Sequence, residues 1–241
     1  MKDLSLRVLV IIPCYNEEGS ISELLTEIEL CDLKFLDVLV IDDCSTDRTY
    51  KLASLKSDTI SLPKNLGIGG AVQTGIRYAF YNDYEICIQL DGDGQHPPEE
   101  IKKLLKVYQE NDCSIVVGSR YLDKIGFQSS LMRRFGSKLI GFALQKFLNS
   151  NQIISDPTSG FRLLDKRAMS IFSQHYPTDF PEPITLAWAL RRRLSIIDCS
   201  VNMRNRHAGT SSISSSKAII YMIRVLCYVI LSRFRLPFDN K

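Results

Sequence analysis

The first 118 residues alternate short strand-like runs with helical patterns, and this alternation constrains the fold more than any other feature. The candidate strands lie at residues 8–12, 38–41, 59–62, 86–90 and 115–117. The runs at 8–12 and 38–41 are apolar throughout, which is typical of strands buried on both faces of a sheet. Strand–helix units of this length predict an α/β fold, with a mostly parallel, Rossmann-like sheet sandwiched by helices.

Helix-start residues separate these strands. Ser20 and Glu23 match a capping box before a helix that ends near residue 30. The other helices of this half are predicted to begin at Ser45 or Thr46, at residue 70 and at Pro97. The second half is less regular, with helices predicted at 131–148 and 183–193, a loop at 156–162 that enters a short strand, a strand at 195–201 and a small polar loop at 209–216.

The net charge of +3 conceals an uneven distribution. With 30 Lys and Arg against 27 Asp and Glu, the 241-residue chain suits one ordinary globular domain without a nucleic-acid partner. Residues 1–120 contain 12 basic and 20 acidic side chains, a net charge of −8, whereas the rest contain 18 and 7, a net charge of +11. The acidic half suits a bound cation, and the basic half suits phosphates or an anionic membrane surface.

Two features bear on location. The seven cysteines include no CxxC pair, which predicts reduced thiols in a cytosolic setting. The apolar run at 8–13 is too short for the core of a signal peptide, and it predicts a protein that is not exported.

The segment 218–231 is apolar apart from Arg224. As a helix it would be about 21 Å long, which is short of the roughly 30 Å needed to span a bilayer. It suits either a helix packed on the core or a second subunit, or a helix lying on the membrane surface. We therefore expect a domain over 1–216, divided at residue 120 into a nucleotide and metal half and an acceptor half, followed by an apolar, basic helix over 217–241.

Acidic residues follow two of the predicted strands. Asp91, Asp93 and Gln95 come directly after the strand at 86–90, and their oxygens are the ligands that Mg²⁺ or Mn²⁺ prefers. Asp42 and Asp43 follow the strand at 38–41 and would accept hydrogen bonds from a nucleobase. A turn without a ligand, or a helix cap, explains the same residues equally well one at a time, but together they indicate a nucleotide and metal pocket.

These motifs stand in an order that resembles family 2 glycosyltransferases of the GT-A type, and within it the polyprenol-phosphate hexosyltransferases. The matching segments are Ile11-Ile12-Pro13-Cys14-Tyr15-Asn16-Glu17-Glu18, Asp42-Asp43-Cys44-Ser45-Thr46-Asp47, Asn65-Leu66-Gly67-Ile68-Gly69, Asp91-Gly92-Asp93-Gly94-Gln95-His96-Pro97-Pro98, Gly118-Ser119-Arg120-Tyr121, Asp156-Pro157-Thr158-Ser159-Gly160-Phe161-Arg162 and Arg206-His207-Ala208-Gly209. The resemblance covers nearly the whole chain and implies the GT-A fold.

The resemblance also implies roles for individual residues. Binding of the nucleotide sugar is expected from Pro13, Tyr15, Glu17, Asp42, Asp43, Asn65, Gly69, Asp91 and Arg206. The metal ligands would be Asp91, Asp93 and Gln95. The acceptor phosphate would bind Arg120 and Arg134, and the catalytic set would be Asp93, Asp156, Arg120 and Arg134.

The expected reaction is metal-dependent transfer of a hexose from a UDP- or GDP-sugar to a polyprenyl phosphate, with inversion, at the inner face of the cell membrane. A phosphate acceptor is already ionised and needs no base, whereas a sugar hydroxyl would need Asp156 or Glu182. The alternatives are a transferase that extends a lipid-linked oligosaccharide or cell-wall glycan, and a non-catalytic nucleotide-binding scaffold for a small membrane protein. A homo-oligomer is a further expectation.

Overall fold

The computed structural model describes residues 6–31, 33, 35–122, 131–148, 151–204 and 215–234. Its strands are β1 (Val8–Cys14), β2 (Leu36–Asp42), β3 (Asp58–Ser61), β4 (Ile86–Gln89), β5 (Ile115–Ser119), β6 (Arg162–Asp165) and β7 (Ile196–Ser200). They form one sheet in the order β3-β2-β1-β4-β6-β5-β7. Every pairing is parallel except those of β6, which runs antiparallel to both β4 and β5. The predicted α/β sheet is confirmed.

The reversed direction of β6 determines which loop joins the carboxyl ends of the parallel strands. Arg162, the first residue of β6, pairs with Gln89 at the carboxyl end of β4. The loop at 156–162 therefore arrives at the same edge as the carboxyl ends of the parallel strands. Because this edge is where α/β sheets bind ligands, the antiparallel insertion adds a loop to the site without adding a crossover helix.

The helices are α1 (Ile21–Leu30), α2 (Thr49–Ala53), α3 (Gly67–Tyr81), α4 (Ile101–Glu110), α5 (Leu131–Phe147), α6 (Lys166–Phe172), α7 (Pro181–Arg191) and α8 (Ser215–Ser232). They cover both faces of the sheet. On β1, Leu9 and Ile11 belong to one buried apolar cluster, whereas Val8, Val10 and Ile12 belong to the other. This alternation, with both sets buried, is what the apolar run at 8–12 predicts.

Several element boundaries differ from the prediction. β1 continues through Pro13 to Cys14. The last hydrogen bond from β4 to this strand is donated by Leu90 N to Ile11 O at 3.0 Å, so the missing N–H of Pro13 removes no bond of the sheet. The start of α2 is also different, because the N-cap is Arg48, without a capping hydrogen bond from its side chain, and Asp47 Oδ1 accepts from Thr49 N at 2.9 Å. The short helix α6 was not predicted from the sequence.

The prediction of a capping box at the start of α1 is wrong, although the helix does begin after Ser20. Ser20 makes no capping hydrogen bond, and its hydroxyl instead donates to the carbonyl oxygen of Gly92 at 2.8 Å. The residue at the start of α1 thus holds the acidic loop that follows β4. A contact 72 residues away in the chain has displaced a local one.

The apolar segment near the carboxyl terminus forms α8, which packs against α5 and α7. Val225 and Val229 are fully buried in the same apolar cluster as Leu9 and Ile11 of β1. The opposite face is exposed, as at Ile223 and Leu231. Within the described ranges, no helix is both long and apolar enough to cross a membrane.

Candidate active site

Hydrogen bonds join the loops at the carboxyl edge of the sheet. The backbone N–H of Asp43, after β2, donates to the carbonyl of Cys14 at the end of β1 (2.8 Å). The carboxylate of Asp43 accepts from Leu66 N (2.7 Å), at the turn before α3. With the Ser20–Gly92 contact, these bonds bring the segments predicted to hold a nucleotide to one edge.

Asp42 and Asp43 are both buried, at 1% and 3% relative exposure. The carboxylate of Asp42 accepts from Ser61 Oγ at 3.1 Å and from Ser45 N at 3.3 Å. Burial raises the pKa of Asp43, and the backbone N–H of Leu66 opposes that shift. Neither residue caps α2, and Asp43 instead accepts from the backbone at the start of α3.

Three other residues predicted to bind the nucleotide lie at the carboxyl end of β1 or just after it. Pro13 is part of the strand, and Tyr15, directly after it, is half exposed at 48%, so that its ring faces solvent at the edge of the sheet. Glu17 is fixed through its backbone N–H, which donates to Thr49 Oγ1 at 2.7 Å. Tyr15 is therefore available to stack on a planar ligand.

The glycine-rich turn before α3 has a packing role. A Cβ on Gly69 would lie 2.2 Å from the carbonyl oxygen of Pro177, so the backbones of the two segments touch there. The side chain of Asn65 accepts from Gly67 N at 3.1 Å and shapes the turn. Close packing of α3 is thus a sufficient explanation for Gly69, whether or not a nucleotide also binds nearby.

The acidic loop after β4 presents its two carboxylates differently. The side chain of Asp91 is 34% exposed, with Oδ1 accepting from Gln89 Nε2 at 3.3 Å. Asp93 is buried at 6%, and its Oδ1 accepts from the backbone N–H of Gln95 at 3.0 Å. A Cβ on Gly160 would lie 2.8 Å from Asp91 Oδ1, so the loop before β6 closes over this carboxylate.

The donor chemistry of this loop fits a divalent cation. Asp91, Asp93 and Gln95 offer only oxygen ligands, which Mg²⁺ and Mn²⁺ prefer. In the part of the chain that the structure describes, no group of three or more His, Cys, Asp or Glu side chains could hold a metal. Magnesium sites commonly have one or two carboxylates, with substrate phosphates and water as the other ligands.

His96 is a buried neighbour of Asp91, and its ring is neutral at neutral pH because its pKa is lowered. Its ring stacks on Phe161 with centroids 4.9 Å apart, and its Nε2 lies 3.8 Å from Asp91 Oδ2. Burial lowers the pKa of His96 to about 4; Arg120 acts in the same direction, and Asp93 opposes it. The sequence placed His96 in a motif without giving it a role.

Arg120 and Asp156 are paired. Arg120 Nε and Nη2 donate to the two oxygens of Asp156 at 2.5 and 2.8 Å, and Nη2 also donates to Thr158 Oγ1 at 2.9 Å. Asp156 is fully buried. Burial disfavours the charge on Arg120, but the hydrogen bonds and charge of Asp156 outweigh it and raise the pKa. Both carboxylate oxygens of Asp156 are therefore hydrogen-bonded to Arg120.

Arg162 was quoted in a motif but not predicted as a site residue. It is 4% exposed and donates to the carbonyl oxygens of Ser159 at 2.8 Å, Pro157 at 3.0 Å and Glu182 at 2.8 Å. These bonds shape the 156–162 loop and fix the first turn of α7. The pKa of Glu182 is raised by burial, with Arg162 acting against it and Asp91 with it.

The last two predicted site residues are Arg134 and Arg206. Arg134 lies half-buried on α5. Arg206 lies outside the described residues. The carboxyl edge of the sheet thus combines buried and half-exposed carboxylates, a half-exposed aromatic ring and the Arg120–Asp156 ion pair, at the place where α/β sheets bind ligands.

Comparison with known proteins identifies the class. Residues 9–172 match the Glycosyl transferase family 2. The chain belongs to this family and is a glycosyltransferase.

Two relatives illustrate its neighbours. The UDP-N-acetylglucosamine–dolichyl-phosphate N-acetylglucosaminyltransferase of Methanococcus voltae is 28% identical over 69% of this chain and 72% of its own. The dolichol-phosphate mannosyltransferase of Pyrococcus furiosus is 34% identical over 68% of this chain, and the match spans 47% of its own length.

The fold is also that of a solved structure. Glucosyl-3-phosphoglycerate synthase from Mycobacterium tuberculosis, in complex with Mn²⁺, UDP and glucosyl-3-phosphoglycerate, aligns with a TM-score of 0.74. The alignment covers 97% of this chain and 82% of that one at 17% identity. The GT-A fold is thereby confirmed.

Proposed function

We propose that this glycosyltransferase moves a hexose from a nucleotide sugar to a polyprenyl phosphate at the inner face of the cell membrane. The observation that carries the proposal is the placement of Arg120 and Asp156 beside the Asp91 loop, because it sets a fixed positive group next to the carboxylates suited to a metal–diphosphate. The names of the two relatives, both of which act on dolichyl phosphate, support the acceptor class.

The donor would bind along the ends of β1, β2 and β4. Tyr15 would stack on the base, and the buried carboxylates of Asp42 and Asp43 would order the surrounding backbone for the nucleoside. Asp91 and Asp93 would hold the divalent cation together with the diphosphate. When bound, that cation supplies positive charge to the leaving diphosphate, and the Mn²⁺ and UDP of the structural neighbour support this choice.

The acceptor phosphate would bind at Arg120. Two of its nitrogens are occupied by Asp156 and Thr158, while Nη1 has no partner among the described residues and is available to a phosphate oxygen. Asp156 keeps the guanidinium charged and oriented. A phosphate oxygen is ionised near neutral pH, so its attack on the anomeric carbon, with inversion, needs no proton acceptor.

The membrane would be met by α5 and α8. Their exposed apolar side chains include Phe135, Phe142, Ile223, Tyr228 and Leu231, and Phe234 lies two residues after the end of α8. Exposed basic residues, such as Lys138 and Arg224, lie on the same two helices, which contain no Asp or Glu. An apolar and basic surface without carboxylates suits an anionic lipid leaflet.

Extension of a glycan is the second candidate. A hydroxyl acceptor would need a base, and the raised pKa of Glu182 makes it a better candidate than Asp156, whose oxygens are held by Arg120.

The test is a donor screen. UDP- and GDP-hexoses are incubated with a short-chain polyprenyl phosphate and Mg²⁺ or Mn²⁺, and the product lipid is identified by mass. A polyprenyl-phosphate hexose is expected. Transfer only to a glycosylated lipid would favour the second candidate, and no turnover with any pair would favour a scaffold.

A further inference from the structure

Ser155 contacts residues close in the chain to each of the two arginines that are expected to bind the acceptor phosphate. Arg120 directly follows Ser119, whose hydroxyl lies 2.6 Å from the hydroxyl of Ser155. Arg134 lies on α5 one turn before Ser137, whose hydroxyl donates to the carbonyl oxygen of Ser155 at 3.3 Å. One residue thus contacts both the strand that ends just before Arg120 and the helix that carries Arg134.

Asp198 of β7 holds Ser155 in place. Its Oδ2 accepts from both the backbone N–H and the hydroxyl of Ser155, each at 2.6 Å. Ser155 directly precedes Asp156, the partner of Arg120. The bonds from Asp198 therefore fix Ser155, which precedes Asp156. Through the Ser155 hydroxyl they also connect to Ser119, which precedes Arg120.

The network is partly buried, with Ser155 and Asp198 half-buried. Ser119 and Ser137 are 0% and 2% exposed. The second oxygen of Asp198, Oδ1, is buried and has no hydrogen-bond partner in the described part of the chain. An unpartnered buried carboxylate oxygen opposes folding, whereas the two hydrogen bonds that Oδ2 accepts from Ser155 favour it, so a test must separate stability from recognition.

We propose that Asp198 is a positioning residue, which acts through Ser155 to set the separation and orientation of Arg120 and Arg134. This inference rests on the proposed function, in which Arg120 binds the acceptor phosphate, and on the expectation from the sequence that Arg134 binds the same phosphate. Because none of the donor-side residues takes part in the network, Asp198 governs recognition of the acceptor and leaves donor binding unchanged.

The test compares Asp198→Ala with Asp198→Asn in the full chain. The KM values for a short-chain polyprenyl phosphate and for the nucleotide sugar are measured separately. Asp198→Ala is expected to raise the acceptor KM about tenfold or more, because small displacements of binding groups have large kinetic effects. Asp198→Asn keeps an oxygen for both Ser155 donors, and its acceptor KM is expected to stay within about threefold of the original.

Asp165→Ala is the matched control. Asp165 is another buried aspartate at a strand end, where it caps α6 by accepting from Ala168 N at 2.8 Å. Its loss is expected to lower the melting temperature without changing either KM. The positioning role is overturned if Asp198→Ala raises both KM values alike, or if Asp198→Asn is as impaired as Asp198→Ala.

A second measurement does not depend on turnover. Urea unfolding of Asp198→Ala, Asp156→Asn and the double variant forms a cycle, and we expect the two changes to be non-additive. The same cycle with Asp165→Ala is expected to be additive. Additivity with Asp198→Ala would refute the connection, whereas a coupled cycle in a protein that never uses polyprenyl phosphate would refute only the proposed function.

Discussion

Arg120 and Asp156, 36 residues apart in the chain, form a two-point ion pair in which Nε–Oδ2 is 2.5 Å and Nη2–Oδ1 is 2.8 Å. Arg120 directly follows the parallel strand β5, whereas Asp156 begins the loop that leads to the antiparallel β6. The pair therefore ties together the two directions of chain at the active edge. It also leaves Asp156 without a free oxygen for proton transfer, since Thr158 occupies Oδ1 as well.

The first prediction concerns Asp156→Asn. The amide keeps the shape of the side chain but loses its charge, so Arg120 is left buried with a neutral partner. We expect the free energy of unfolding to fall by about 3 kcal/mol, as when one partner of a buried ion pair is removed. We also expect the acceptor KM to rise with little change in the donor KM, as measured by urea unfolding and steady-state kinetics.

Thr158→Val is the control for this ion pair. It removes the hydroxyl that contacts both partners but leaves the two charges, and its effect on unfolding should stay near 1 kcal/mol. A loss of stability as large as that of Asp156→Asn would show that the hydroxyl, and not the charge pair, fixes this loop.

The second prediction concerns the carboxylates of the metal loop. Asp91→Asn or Asp93→Asn is expected to reduce transfer at least about 100-fold, because each removes a charged oxygen ligand. Chelation should abolish transfer by the unaltered protein, and added Mg²⁺ or Mn²⁺ should restore it. Asp112→Asn, at an exposed carboxylate paired with Arg167, is the control and should keep full activity. Undiminished transfer after chelation would contradict the proposed metal dependence.

The third prediction concerns Gly160, which has no room for a side chain. Its Cβ would lie 2.8 and 2.9 Å from the oxygens of Asp91 and 3.0 Å from Gln89 Nε2. Gly160→Ala should push the Asp91 carboxylate from its place and raise the metal concentration for half-maximal transfer about tenfold. A titration of activity with Mn²⁺ measures this.

Gly118→Ala is the matched control for Gly160. Its Cβ would meet the ring of Phe161 at 2.7 Å, and it does not touch Asp91. We expect this variant to lose stability while the metal requirement stays the same. An equal change in metal requirement would mean that general disorder of the loop, and not the displaced carboxylate, is responsible.

The fourth prediction concerns pH and Tyr84, far from the site. Burial and the hydrogen bond to Asp37 Oδ2, at 2.8 Å, raise the pKa of Tyr84 to about 12 from the ordinary value of 10.0. Stability from the protonated phenol is thus complete below pH 10 and lost as the pH rises towards 12. The difference in unfolding free energy between the unaltered protein and Tyr84→Phe should shrink over that interval. A constant difference would contradict the raised pKa.

The strands of the first half and the positions of the acidic loops were predictable because their evidence is local. The run at 8–12 is buried on both faces, and Asp91 and Asp93 directly follow β4, so apolar pattern and turn position were sufficient. The parallel sheet then requires that the ends of β1, β2 and β4 meet at one edge. No knowledge of distant contacts was needed for this step.

The contacts that shape the acceptor side could not be predicted in this way. Asp198 contacts Ser155 across 43 residues, and Ser20 contacts Gly92 across 72 residues. Each of these side chains also fits a local role, such as the cap that Ser20 was expected to supply. The insertion of β6 between β4 and β5 decides which partner is reached, and four residues of strand carry no pattern that reveals its direction.

The final prediction concerns the outward faces of α5 and α8. Because Val225 and Val229 are buried in the core, deletion of α8 would damage the fold, and exposed positions are the right ones to change. Phe142 and Leu231 are 60% and 63% exposed on these helices. We expect the unaltered protein to sediment with anionic liposomes, and Phe142→Glu or Leu231→Glu to weaken that binding about tenfold or more, since each removes a large apolar contact and adds repulsion. Leu55→Glu, at a residue 74% exposed beyond α2, is the control and should bind as before. If both helix variants bind liposomes normally but change the mass in sedimentation equilibrium, the face joins subunits and does not meet lipid.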